Sequence, residues 1–221
     1  IWYLYQKKVL CSDNIFIAKS KLESDHIKKY IINSDVKIVP NPVKMNPYIN
    51  ESIQRKKQVV YLGRINPVKG LKKLIEAWKK FENKNKNWKL LLIGNDENNF
   101  KKELLKKIDH TKNIKFINHQ TGDKKWEYLI NSQIFIMPSE FENFGSAIVE
   151  ALSSKLITIV SNKAPWLLLN ESKAGWCIDN NPENIYKYLL KAVSLKEKEK
   201  IILKNNAFKI SLNYKPMNIT K

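Results

Sequence analysis

Short apolar runs alternate with amphipathic segments along most of this chain, and this alternation restricts the fold more than any other feature. The apolar runs predict strands at residues 59–62, 88–93, 114–117, 134–137, 156–160 and 176–178. Helical periodicity between and after these runs predicts helices that begin after Lys69 and at 97–108, 124–130, 145–154, 182–194 and 196–208. Apolar strands that are followed by helices predict a parallel sheet with both faces covered.

The predicted fold class is therefore α/β, a Rossmann-like doubly wound parallel sheet whose ligands bind beyond the carboxyl ends of the strands. A strand–helix–strand unit precedes it. Residues 14–18 and 36–39 are its predicted strands, and the capping box Ser20-Lys21-Leu22-Glu23 begins its helix, which is expected to end near residue 32. The Pro- and Asn-rich stretch at 40–57 predicts a linker.

These patterns predict three parts. We expect a remnant of an earlier Rossmann domain with its hinge at 1–50, a ligand-binding Rossmann-like domain at 51–195, and a C-terminal helix and tail at 196–221. The chain begins with Ile1 rather than methionine, so we also expect that an upstream part is absent.

Composition narrows the classes of protein. Hydrophobic residues make up 43% of the chain, which is enough for a core, and no apolar run is long enough to predict a membrane span. Cys11 and Cys177 lie far apart without further metal ligands nearby, and the three histidines are scattered, so we expect neither a disulfide nor a metal site.

The formal charge of +19 has two interpretations: attraction to polyanions, or a bias of composition towards lysine. The lysines are scattered rather than gathered into a stripe with aromatic residues, which argues against nucleic-acid binding. Only two of the 40 basic residues, Arg55 and Arg64, are arginine. Arginine provides a bidentate fork that lysine lacks, so its use at a particular turn suggests a specific role there.

Residues 139–150 form the first stretch that suggests chemistry. Pro138 closes an apolar strand, an acidic loop follows, and a helix is predicted to begin near Asn143 or Gly145. Free backbone N–H groups at such a helix start favour an anion. Glu150 lies one turn after Ser146 on the same helix face, where a carboxylate can accept both hydroxyls of a sugar diol. Alternatively, Glu142 only stabilises the helix start and Glu150 is only a good helix former.

The loop at residues 61–70 is the second such stretch. It lies between a predicted strand and a predicted helix, but it matches neither a Walker loop nor a dinucleotide-binding glycine triplet. It carries Arg64 and Lys69 around a turn that contains Pro67. Two cations converging from one loop can neutralise a diphosphate. The alternative is that both are solvated basic residues in a lysine-rich chain.

Together the two stretches resemble the retaining GT-B glycosyltransferases of glycosyltransferase family 4, the glycosyl transferases group 1. The donor-binding domain of that family carries a Gly-Arg…Lys-Gly loop, here at residues 63–70, and a Glu-x7-Glu motif, here at residues 142–150. Residues 14–42 resemble the end of its first domain and the hinge. Residues 164–166 and 174–176 resemble members that build bacterial surface polysaccharides.

The resemblance implies a role for each site residue. The catalytic residues would be Arg64 and Lys69, which hold the diphosphate as the nucleoside diphosphate leaves, and Glu142, which addresses the donor sugar. Glu150 would accept the ribose hydroxyls. The remaining donor-binding positions would be Gly63, Gly94, Asn143, Phe144 and Gly145. Lys155 stands where the family usually has glycine before a strand, and 162–166 replace its glycine-rich loop.

The expected function is transfer of a sugar from a nucleotide-sugar donor to a glycan or lipid-linked acceptor, with retention, in bacterial surface polysaccharide synthesis. The expected partners are that donor and acceptor, with no metal, no cofactor and no nucleic acid. The expected location is cytoplasmic, with peripheral contact at the anionic inner face of the membrane. The alternative is a non-catalytic nucleotide-sugar-binding fragment that lacks its acceptor domain.

Overall fold

The structure, a computed structural model, describes residues 14–31, 34–49, 53–108 and 111–219. Its strands form two parallel sheets, of two and six strands. The smaller sheet pairs β1 (Ile15–Ala18) with β2 (Asp35–Ile38). The larger sheet contains β3 (Gln58–Leu62), β4 (Lys89–Ile93), β5 (Ile114–Ile117), β6 (Ile134–Met137), β7 (Ile157–Ser161) and β8 (Gly175–Ile178).

Helices connect the strands and cover both faces of the larger sheet. They are α1 (Lys21–Tyr30), α2 (Leu71–Lys84), α3 (Phe100–Leu105), α4 (Gly122–Asn131), α5 (Ser146–Ser153), α6 (Leu168–Glu171), α7 (Pro182–Ser194), α8 (Glu197–Leu212) and α9 (Pro216–Ile219). None of the helices in the described ranges is long and apolar enough to cross a bilayer.

The strand order β5-β4-β3-β6-β7-β8 creates a switch point in the larger sheet. After β3 the chain adds β4 and β5 on one side, and then returns to pair β6 with the other side of β3. The loops after β3 and β6 therefore leave the same edge in diverging directions, which opens a crevice where ligands of such folds bind. The predicted doubly wound, Rossmann-like α/β fold is confirmed.

The core explains why the apolar runs became central strands. Strands β6 and β7 are buried along their whole length, and α2 buries one complete face that includes Leu74, Trp78 and Phe81. The rings of Trp78 and Phe81 lie 5.0 Å apart. Burial of the apolar face stabilises such a helix more than its intrinsic propensity does.

Residues near the two ends of the main unit are joined by hydrogen bonds. The backbone N–H of Val43 donates to the carbonyl of Tyr214 at 2.8 Å, and the Asn46 side chain donates to Ser154 Oγ at 2.8 Å. The predicted boundary at residues 50 and 51 lies outside the described residues, as do Cys11 and His110.

Several helix boundaries differ from the prediction for local reasons. The predicted helix at 97–108 is reduced to α3, because Asn98 and Asn99 adopt left-handed backbone conformations with φ of 56° and 57°. Helix α8 extends beyond residue 208 to Leu212, and α6 is too short to show periodicity. Ser20 caps α1 as predicted, but the Glu23 carboxylate accepts from Lys19 N rather than from Ser20 N.

Lys155 occupies a strained position before β7. Its φ is +52°, a left-handed conformation that costs a residue other than glycine about 1 kcal/mol. This geometry explains why glycine is the expected residue at this place, and it shows that the chain keeps the backbone turn although it lacks the glycine.

Candidate functional site

The loop after β3 is held against the loop after β4 by glycine. A Cβ atom on Gly94 would lie 1.8 Å from the carbonyl oxygen of Gly63, so only glycine permits this backbone approach. The Gly63 N–H donates to Ile93 O at 3.0 Å, and the Tyr61 hydroxyl donates to Arg64 O at 2.6 Å. Burial of the Tyr61 ring raises the pKa of its hydroxyl well above the usual value. The structure thus places Gly63 and Gly94 together.

A second glycine joins the β3 loop to the end of β6. Gly70 has a φ of 65° and ends a 3₁₀ turn at Pro67–Lys69, and its Cβ atom would lie 1.9 Å from Pro138 O. The Asn180 side chain donates to the same Pro138 oxygen at 2.7 Å. These contacts connect the two stretches singled out in the sequence, although they lie about seventy residues apart.

Lys69 and Glu142 form the central ion pair of the crevice. Lys69 Nζ lies 2.6 Å from Glu142 Oε2, and the two side chains are only 11% and 16% exposed. A charged hydrogen bond at this distance and depth is much less screened than a surface pair. Two predicted catalytic residues are therefore in direct contact, and each supplies the counter-charge of the other.

Arg64 extends into solvent beside this pair. Its Nη1 lies 3.0 Å from Glu97 Oε1, and its side chain is 65% exposed. Asn66 donates to the other Glu97 oxygen at 2.7 Å. These two hydrogen bonds, led by the one from Asn66, lower the pKa of Glu97. Glu97 was absent from the sequence prediction, and it holds the arginine over the turn in this structure.

The loop from Ser139 to Gly145 presents unpaired backbone donors. Gly145 caps α5 with a φ of 81°, and in the described chain the N–H groups of Asn143, Phe144 and Gly145 have no hydrogen-bond acceptor. Free N–H groups at a helix start attract anions or hydroxyl oxygens. The Asn143 side chain contacts Glu23 Oε1 at 3.4 Å, which links this loop to α1.

The Phe144 side chain belongs to the core beneath the loop. Its ring packs 6.1 Å from the ring of Trp166 and 5.5 Å from that of Tyr214, and Trp166 Nε1 donates to the Phe144 carbonyl at 2.6 Å. Only the backbone N–H of Phe144 remains available to a ligand. Trp166 comes from the segment that replaces a glycine-rich loop, and it supports the binding loop from below.

Glu150 lies on the second turn of α5 and pairs with a residue that the sequence did not indicate. Lys125 Nζ lies 2.6 Å from Glu150 Oε1. Burial raises the pKa of the Glu150 carboxyl, and the hydrogen bond from Lys125 opposes that rise. Glu150 is therefore a desolvated acid whose charge depends on one lysine, 25 residues away in the sequence.

Unsatisfied polar atoms gather at the same edge of the sheet. Among the described residues, the buried side-chain oxygens without a hydrogen-bond partner include Ser139 Oγ, Asn66 Oδ1 and Asn180 Oδ1. Each such atom costs about 1–3 kcal/mol. Residues 139, 66 and 180 all adjoin the crevice loops, so this is a place where a ligand would provide missing partners.

Comparison with known proteins agrees with this fold and site. Residues 46–209 match the sequence profile of the family "Glycosyl transferases group 1", and this chain belongs to that family. It is 25% identical over 170 residues to a GDP-mannose:cellobiosyl-diphosphopolyprenol alpha-mannosyltransferase of Xanthomonas campestris, covering 75% of this chain and 45% of the relative. The chain thus spans less than half of that relative's length.

Solved structures show the same GT-B fold. TarM of S. aureus, solved with fondaparinux, alpha-GlcNAc-glycerol and UDP, superposes with a TM-score of 0.83 at 20% identity, over 97% of this chain and 44% of TarM. Alr3699/HepE of Anabaena, solved with UDP and glucose, gives a TM-score of 0.80 at 17% identity, over 92% and 60%. At these identities the likeness establishes the fold alone.

Proposed function

We propose that this chain is the donor-binding part of a retaining glycosyltransferase of family 4. It would transfer a sugar from a nucleotide-sugar donor to a glycan or lipid-linked acceptor in bacterial surface polysaccharide synthesis. The observation that carries the proposal is the buried Lys69–Glu142 pair at the switch point, with Arg64 beside it. Membership of the glycosyl transferases group 1 family supports the proposal.

The leaving group would be stabilised by fixed cations. As the bond from the sugar to the diphosphate breaks, negative charge grows on the nucleoside diphosphate, and Lys69 and Arg64 would neutralise it. Lys69 is already desolvated, so its attraction for that charge is stronger than in water. This arrangement gives protein cations the role that a metal performs in other enzymes, and we propose no metal or cofactor.

Glu142 and the free amides of Asn143, Phe144 and Gly145 would bind the hydroxyls of the donor sugar. Donor binding would then exchange partners, because Lys69 turns from Glu142 to phosphate while Glu142 accepts sugar hydroxyls. Glu150 would accept the two ribose hydroxyls of the nucleotide, with Lys125 keeping it ionised. Gly63 and Gly94 would allow the backbone to approach the nucleotide.

The alternative is a nucleotide-sugar-binding fragment that does not catalyse transfer. The observation that favours it is length, since the chain spans 45% of its Xanthomonas relative and 44% of TarM. In this architecture the acceptor would be bound mainly by the preceding domain, for which residues 1–50 would be a remnant and hinge, followed by a donor domain at 51–195 and a C-terminal helix and tail at 196–221. We also propose a cytoplasmic location with peripheral contact to an anionic membrane, motivated by the charge of +19.

Two experiments separate these functions. Calorimetric titration of the chain with UDP- and GDP-sugars should give binding that falls by about tenfold or more in Glu150→Ala, since a charged hydrogen bond to the ribose is lost. A matched control is Glu76→Ala on the solvent side of α2. Absence of binding to either class of donor would refute the proposed donor site.

A transfer assay with radiolabelled donor then tests catalysis. Incorporation of label into a polyprenyl-linked or glycan acceptor, lost in Lys69→Met, supports the enzyme. Binding without incorporation supports the fragment alternative. The anomeric configuration of the product, read by NMR, tests retention directly, and an inverted product would contradict it.

A further inference from the structure

A cationic cavity lies on the opposite edge of the larger sheet from the candidate donor site. Its volume is about 450 Å³, and its lining includes Ile53, Arg55, Lys155, Glu197, Ile201 and Lys204. Arg55 precedes β3, and it contacts carbonyls that precede β6 and β7, so the cavity is at the amino ends of the strands. Strands of four or five residues at about 3.3 Å per residue separate the two edges by roughly 15 Å.

Arg55 is buried in a cage of neutral oxygens. Its guanidinium donates to Ser132 O at 2.9 Å, to Ser154 O at 2.7 Å and, more weakly, to Leu129 O at 3.4 Å. Burial lowers the pKa of Arg55 to about 10. A guanidinium has five N–H donors, so two remain for a further acceptor.

Lys204 adds a second cation to the same cavity. Burial lowers the pKa of its ammonium, and the positive charge of Arg55 lowers it further. The nearest opposing charge is Glu197, which is itself bound to Lys200 at 2.7 Å. In the part of the chain that the structure describes, no carboxylate lies within ion-pair distance of Arg55 or Lys204. The cavity therefore holds a surplus of desolvated positive charge.

The use of arginine supports a specific role. The chain has two arginines among 40 basic residues, one in the candidate donor loop and the other, Arg55, in this cavity. A composition biased towards lysine would place lysine here as well, unless the planar fork were required. The fork satisfies the carbonyl cage and leaves donors for an anion at the same time.

We propose that this cavity is a second anion-binding site, which takes the phosphate group of a ligand between Arg55 and Lys204. A tetrahedral phosphate offers several acceptor oxygens, which match the remaining guanidinium donors and the ammonium. Its charge would relieve the repulsion between the two cations. The site is separate from the candidate donor site and does not depend on the proposed glycosyl transfer.

The phosphate has two sources that the surroundings allow. A soluble phosphate or phosphoester would need only the cavity. An anionic phospholipid would in addition place acyl chains against apolar surface, and Ile201 at the rim of the cavity is 54% exposed. Both sources share the same phosphate contacts, and they differ in their dependence on Ile201.

The test compares Lys204→Gln with Lys198→Gln, which removes the same charge from an exposed position of the same helix. Inorganic phosphate binding is measured by calorimetry on the full chain, and vesicle binding by co-sedimentation with phosphatidylglycerol in phosphatidylcholine. We expect Lys204→Gln to weaken binding of one of these probes by about tenfold and Lys198→Gln to leave it unchanged. Phosphate bound at the donor site would be equal in both variants, so only the Lys204-dependent part is scored.

The source follows from a third variant, Ile201→Ser. A loss of vesicle binding in both Ile201→Ser and Lys204→Gln identifies a lipid headgroup, whereas phosphate binding that needs only Lys204 identifies a soluble ligand. Removal of a disfavoured charge should not lower the melting temperature, and Lys204→Arg should restore binding if folding is intact. Equal binding of both probes by Lys204→Gln and Lys198→Gln would overturn the inference.

Discussion

The Lys69–Glu142 pair should contribute far more to stability than a pair of the same kind nearby. Lys69→Met leaves the Glu142 carboxylate in the crevice without its cation. Breaking a fully buried pair costs about 3–5 kcal/mol. Because these side chains keep 11% and 16% exposure, some solvation remains, and we expect about 2–3 kcal/mol for either single change, Lys69→Met or Glu142→Gln. The double variant should cost only about 0–1 kcal/mol, since it removes both charges.

The neighbouring Lys73–Glu140 pair is the matched control. Its Nζ–Oε1 distance is 2.7 Å, almost the same, but its side chains are 37% and 41% exposed. Exposed pairs contribute about 0.2–1 kcal/mol. Denaturant unfolding of the four proteins in each double-mutant cycle should therefore give a coupling energy of at least about 2 kcal/mol for the first pair and less than about 1 kcal/mol for the second. Equal coupling in the two cycles would refute the argument that burial makes the first pair strong.

Three other predictions concern glycine packing, the ribose contact and pH. Gly94→Ala should lower stability by about 3 kcal/mol or more in thermal unfolding, because its Cβ atom would overlap Gly63 O, whereas Gly122→Ala meets no atom within 4 Å and should cost only about 1 kcal/mol for its φ of 55°. Lys125→Met should weaken nucleotide binding in calorimetry although it would not touch the ligand, because Glu150 would lose the hydrogen bond that favours its charge; an unchanged affinity would contradict this role. Since the pKa of Glu150 is raised above its model value of 4.5, affinity should begin to fall at a pH above 4.5 as the carboxylate takes up a proton, and Glu150→Gln should remove that part of the pH profile.

The same raised pKa has a consequence for stability with the opposite sign. An acid whose folded-state pKa exceeds its unfolded-state value binds a proton more tightly when folded, so ionised Glu150 destabilises the fold above that folded pKa. The penalty disappears as the pH falls below the unfolded value. Glu150→Gln should therefore raise the melting temperature at neutral pH while it lowers nucleotide affinity, which is the trade-off expected where binding requires a buried charge.

Most of the fold was predictable because its signals are local. Strands β5 and β6 were predicted with the bounds that the structure has, since a buried parallel strand must be apolar on both faces. Helix α7 was also predicted at its observed bounds, because Pro182 at its first position and Asn181 before it mark a helix start. Helix α3 was predicted too long, because the left-handed conformation of Asn98 and Asn99 depends on the turn after β4 and leaves no trace in periodicity.

The residue types of the candidate site were predictable for a similar reason. The spacing from Gly63 to Gly70 and from Glu142 to Glu150 is carried by short segments at strand ends, and the order of a doubly wound sheet brings such ends to one edge. The roles of Arg64, Lys69, Glu142 and Glu150 as donor contacts remain predictions.

The partners of these residues depended on contacts that are distant along the chain. Local patterns placed an anion-attracting loop and an acidic helix start beside a parallel sheet, because propensity and periodicity act over a few residues. Sheet order then set Lys69 at 2.6 Å from Glu142, and it also set Lys125 on Glu150 and Arg55 in its carbonyl cage. Burial and pairing of charge arise only when separate segments exclude water together, so they follow from the folded chain and not from any one stretch of its sequence.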